Sequence, residues 1–219
     1  MRSPGIRRPT LAALAALATL TVVLPSPASA DSASLRTAVA DLPGAAESRT
    51  GYERTKFKLW VDADHDGCDT RREVLIAEAT TAPTVGSGCS LAAGRWRSPY
   101  DDATWTDIAD LDIDHVVPLA EAWDSGASAW TAAERESYAN DLGDPRTLIA
   151  VTDNVNQAKG DQDPAEWEPP LASYRCTYVK DWVAVKLRWA LKVDDAERTA
   201  LASRAASCPA TTVTWAPAG

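Results

Sequence analysis

Two short stretches hold side-chain types that could do chemistry together. The first is Asp112-Ile113-Asp114-His115-Val116-Val117-Pro118-Leu119, and the second, some forty residues on, is Asn154-Val155-Asn156-Gln157-Ala158-Lys159-Gly160-Asp161. The apolar residues around Asp114 and His115 place them at the end of a strand, where neighbouring side chains point different ways. An aspartate there suits a hard cation such as Mg²⁺. A histidine is the side chain that accepts a proton most readily near neutral pH. Asn156 supplies a neutral oxygen from a facing wall, and Lys159 a charge that could steady a phosphate oxygen or simply cap a helix end.

The elements that must carry these groups are legible in outline. Residues 108–117 contain a strand, and Thr147-Leu148-Ile149-Ala150-Val151 reads as a second, buried one. Asp153 is placed to cap a short helix that carries Asn156 and Lys159 and ends near Gly160. Thr131 with Glu134 is a capping box opening a helix to about 140. Residues 32–42 and 71–79 are helix-like, 80–90 form a loop, and 52–60 alternate aromatic and basic residues. The strongest helix covers 174–193, with Val179, Trp182, Val183, Lys186, Trp189, Ala190 and Val193 on one face. A last helix starts at Asp194 and ends near Cys208-Pro209.

A second metal candidate precedes the first pair. Asp62, Asp64, Asp66 and Gly67, then Glu73, follow the calcium-loop template of alternating acids, a glycine turn and a terminal glutamate. The other reading is an acidic turn held by its own backbone and by Arg71 or Arg72. His65 reads as exposed.

The first 30 residues do not belong to the fold. Arg2, Arg7 and Arg8 precede an apolar run over 11–24, and Ala28-Ser29-Ala30 suits a signal peptidase. The run is short for a membrane span, which needs roughly 20 residues. An exported, extracellular protein without membrane attachment is expected, by the general route, since Pro9-Thr10 after the arginine pair fits twin-arginine export poorly. Without the three leader arginines, the 22 basic residues no longer offset the 31 acidic ones, and the mature net charge is −12. Bulk charge therefore argues against tight polyanion binding. Contact with nucleic acid would need a bound metal or a local patch, such as Arg95, Arg97, Arg146, Lys159 and Arg175 with Trp96, Tyr100 and Tyr174. Four cysteines in an exported chain predict two disulfides. Of three connectivities, Cys68–Cys89 and Cys176–Cys208 are preferred because each closes a moderate loop.

As a set these motifs resemble the HNH (ββα-metal) endonucleases. The resemblance is to small secreted actinobacterial nucleases similar to the C-terminal domain of GmrSD-type modification-dependent restriction endonucleases. It extends from Trp60 and Asp66-Gly67-Cys68-Asp69-Thr70-Arg71, through the Asp-His-Val-Val-Pro-Leu core and Ala122-Trp123-Asp124-Ser125-Gly126-Ala127, to Asn156 and 159–167. It implies one α+β domain over 31–219, a ββα core at about 108–162 and C-terminal helices at about 174–207. It further implies a monomer hydrolysing DNA, and RNA as an open alternative, with one Mg²⁺ or Mn²⁺. His115 would be the general base and Asp114 and Asn156 the metal ligands. Thr147 stands where such proteins carry the asparagine that orients the histidine, so the backbone or Asn140 would have to do so. The competing expectations are a calcium-binding surface module on a non-catalytic scaffold, and an esterase of small phosphodiesters.

Overall fold

Alternation of side chains along one hairpin decides how the molecule is layered. The computed structural model describes residue 1 and residues 30–218 except 209; the expected leader lies almost wholly outside them. In chain order the elements are β1 (Asp31–Ser34), α1 (Leu35–Asp41), α2 (Thr70–Ala77), β2 (Thr84–Val85), β3 (Leu91–Ala92), β4 (Trp96–Arg97) and β5 (Thr104–Trp105). They continue as β6 (Leu111–His115), α3 (Leu119–Asp124), α4 (Ala132–Ala139), β7 (Leu148–Thr152), α5 (Asp153–Lys159), α6 (Arg175–Arg188), α7 (Asp195–Ser207) and β8 (Thr212–Trp215). Among the described residues no helix is long and apolar enough to cross a membrane.

Strands β6 and β7 are antiparallel, with Ile113 opposite Ala150 and His115 opposite Leu148. One face, with Leu111, Ile113, Leu148 and Ala150, packs on Val74 and Leu75 of α2 and on Trp96. The other face sends Ile149 and Val151 into the main core, where they join Tyr178, Val179, Trp182 and Val183 of α6. With both faces covered, β7 is apolar from Leu148 to Val151, and all five of its residues are buried. Glu78, just after α2, clips the hairpin by accepting a hydrogen bond from the Ala150 amide at 2.7 Å.

Several boundaries differ from expectation for local reasons. Residues 108–110 are a 3-10 turn capped by Asp107, so β6 begins at Leu111. Asp153 is the first helical residue of α5 rather than its cap. The long helix stops at Arg188 because Ala190 takes a left-handed φ of 50°, and the chain turns back there. The capping box at Thr131 and Glu134 is present on α4. The pairing of β1 with β8 joins the two ends of the described chain. Disulfides join Cys68 to Cys89 and Cys176 to Cys208, the pairing preferred from loop length.

Candidate active site

At the end of β6 the pleat sends Asp114 towards α5 and His115 to the opposite side. Both line one cleft of about 190 Å³, together with Arg54, Pro118, Leu119, Asn156, Gln157, Gly160 and Asp161. Gly160, at φ 55°, ends α5 and turns the chain along the cleft wall.

His115 is 5% exposed. Its Nε2 lies 3.0 Å from the Ala139 carbonyl, and its ring stacks between Trp60 and Tyr138 with centroids 6.0 and 6.1 Å away. The orienting group is thus backbone. Asn140 is engaged elsewhere, accepting from the Val61 amide and Thr70 and donating to the Lys58 and Glu136 carbonyls. Thr147 is buried and donates to Asp141. Burial pushes the imidazole down to about 3, against the Ala139 hydrogen bond, and the nearby Arg54 and Lys159 charges add to the fall. The ring is therefore neutral around pH 7. Because neutral imidazole keeps one N–H, which here meets a carbonyl, Nδ1 keeps its lone pair.

Asp114 is also 5% exposed. Lys159 Nζ donates to its Oδ1 at 2.8 Å and to the His115 carbonyl at 3.0 Å, and Tyr100 donates its hydroxyl to Oδ2 at 2.6 Å. Burial pushes the Asp114 carboxyl up and the Lys159 amine down, and their contact opposes both shifts. Lys159 is fully buried and does not line the cleft, so its expected role of steadying a phosphate from there is corrected. It reached Asp114 instead because α5 packs along the Asp114 face of the hairpin.

Asn156 donates its amide N–H to Asp112 Oδ2 at 3.2 Å, which fixes the plane of the group that lines the cleft. Arg54 follows from no spacing rule; it arrives on a 3-10 turn, Arg54–Lys56, and is the cleft's exposed cation. Arg49 binds Asp124 and, from one side of the cleft, Asp161.

The expected basic-aromatic patch does not form. Arg97 pairs with Asp102, Arg146 with Asp144 and Arg175 with Glu168, while Trp96 and Tyr100 are buried. Arg95 remains exposed. Each of the three paired arginines has found an acid within seven residues in sequence.

The acidic loop brings single oxygens of Asp62, Asp64 and Asp66 within 4.8 Å of one another, and Asp66 also approaches Glu73. Asp62 Oδ2 accepts from the Gly67 amide, while Oδ1 is shielded from solvent and unpartnered. Cys68 is in a disulfide and so is no ligand. Burial, then Asp66, Asp64 and Asp62, push the Glu73 carboxyl up. His65 is exposed.

No solved structure matches the chain. A protein of Arthroderma benhamiae described as an uncharacterized secreted protein is 48% identical over 202 residues, covering 90% of this chain and 98% of that protein. Residues 70–204, which include β6, β7 and α5, match the model of the C-terminal domain of the GmrSD restriction endonucleases. The chain belongs to that family of GmrSD C-terminal domains.

Proposed function

We propose that this protein is a secreted, metal-dependent endonuclease of the HNH (ββα-metal) type that hydrolyses DNA with little sequence specificity. The observation that carries the reading is the meeting of His115, Asp114 and Asn156, from a hairpin and the helix after it, in one cleft. The family supports a DNA substrate. The two disulfides, the leader-like first 30 residues and the description of the relative support export.

His115 takes the proton of the attacking water at Nδ1, while the Ala139 carbonyl holds the far side of the ring. Trp60 and Tyr138 keep the imidazole from turning. Asp114 and Asn156 are the residues that would hold a divalent ion. A carboxylate and an amide oxygen suit a hard cation such as Mg²⁺ or Mn²⁺. Lys159 and Tyr100 each use one direction at the Asp114 oxygens, and a carboxylate has about four acceptor positions, so capacity remains. When bound, such an ion stabilises charge on the phosphoryl and leaving oxygens. Asp112 keeps Asn156 turned, and Arg54 draws a backbone phosphate towards the base. In so acidic a protein a single cleft arginine gives weak, salt-sensitive binding.

The loop from Asp62 to Glu73 is the second part of the proposal, a structural calcium site. The unpartnered, shielded Asp62 Oδ1 supports it. A non-catalytic scaffold is the competing reading, and the commitment of Asp114 to Lys159 and Tyr100 favours it.

Supercoiled plasmid incubated with the mature protein in Mg²⁺, in Mn²⁺ and in EDTA separates the two. Nicking that requires a divalent ion supports the nuclease; inertness in every ion rejects it and leaves the scaffold.

A further inference from the structure

Five carboxylates converge away from the cleft. Glu47, exposed on the segment after α1, has an oxygen within 4.8 Å of oxygens from Glu121 and Asp124 of α3. It makes an equally close group with Asp163, beyond α5, and Asp194, the cap of α7. None of the five lines the cleft.

Four of them already commit one oxygen to the protein. Glu121 Oε1 accepts from Lys186 at 2.6 Å, Asp124 Oδ2 from Arg49 at 2.6 Å, Asp163 Oδ1 from the Ala165 amide at 2.6 Å and Asp194 Oδ1 from the Glu197 amide at 2.7 Å. The other oxygen of Asp124 is a separate observation. That side chain is 4% exposed, and its Oδ1 is sealed from solvent with no hydrogen-bond partner. A buried carboxylate oxygen without a donor is costly and rare in a folded protein.

The neighbouring cations do not balance the group. Lys186 divides its charge between Glu121 and Glu197, and Arg49 divides its own between Asp124 and Asp161. Crowding of this kind is relieved by a bound cation. All the available donors are oxygens, which selects a hard ion. Their number suits calcium, with six to eight ligands, over the strict octahedron of magnesium.

We propose that Glu47, Glu121 and Asp124, backed by Asp163 and Asp194, bind a calcium ion that ties the segment after α1 to α3 and the start of α7. The site is distinct from the Asp62–Glu73 loop and from the cleft.

The test is calorimetric titration with CaCl₂ and thermal melting of the whole mature protein. Both are done in a D64N background, which disables the acidic loop, with and without E47Q or D124N. Glu47 is exposed, so E47Q should fold, and in chelator it should melt no lower than its parent because a crowded charge is gone. Calcium should raise the parent's melting temperature by several degrees. With E47Q or D124N that rise and one bound ion per chain should be lost. Equal stoichiometry and an equal rise with E47Q, or no calcium bound by the D64N parent, would overturn the site.

Discussion

Lys159 and Lys186 are both fully buried and both bound to carboxylates, yet they sit in different kinds of place. Lys186 Nζ donates to Glu121, Ser125, Glu197 and the Lys192 carbonyl. Its environment is closed, and it ties α3, α6 and α7 together. Lys159 donates to Asp114 and the His115 carbonyl, and both of those residues line an open cleft. A buried charge is therefore no sign of chemistry by itself; what distinguishes Lys159 is that its partners meet a space a substrate can enter.

The comparison breaks first at Lys186. K186M leaves Glu121 and Glu197 buried without their cation, and should cost about 3–5 kcal/mol in urea unfolding. Nicking per folded molecule should stay unchanged. Were the specific rate to collapse while the fold survived, the structural role of Lys186 would be wrong.

K159M should also destabilise, by somewhat less, because Tyr100 still donates to Asp114. Unlike K186M it should alter the metal concentration needed for half-maximal nicking, since the neutralising partner of a proposed ligand is gone. An unchanged metal requirement would place Lys159 with Lys186.

Y100F removes one charge-assisted hydrogen bond at 2.6 Å and should cost about 1.5–3 kcal/mol, read by thermal melting. R54A, at an exposed position, should leave stability alone and raise KM for plasmid, with the gap from wild type closing as salt is raised.

A pH dependence is expected at Glu78, whose carboxyl burial pushes up to about 7 against the Ala150 hydrogen bond. A folded value above the unfolded one means the folded state holds the proton longer. The stabilisation is full below about 4.5 and is lost as pH rises to about 7. The wild-type-minus-E78Q difference in unfolding free energy should fall by about 1.4 kcal/mol per pH unit across that window. A flat difference would show that the carboxyl is not held in this environment.

The sequence made Asp114, His115 and Asn156 visible because their types are rare side by side and their elements had clear periodicity. The apolar run of β7 and the capping box of α4 were readable for the same reason. The burial of Lys159 against Asp114 is not legible in the sequence, because a lysine in the last turn of a helix normally reaches water, and nothing local announces an aspartate on the strand beneath. The β1–β8 pair joins Asp31 to Trp215, a partnership no local signal carries. The arginine patch failed because charge counting cannot see that Arg97 and Arg146 bind acids five and two residues away. The imidazole's partner was a backbone carbonyl, which no residue type reveals.

The central claim is tested most directly by the single-turnover nicking rate of His115→Ala in Mg²⁺, with folding checked by circular dichroism and imidazole added back. Loss of general-base action predicts a rate lower by about 10²–10⁴, partly restored by free imidazole. A folded His115→Ala protein that nicks plasmid at the wild-type rate would contradict the account.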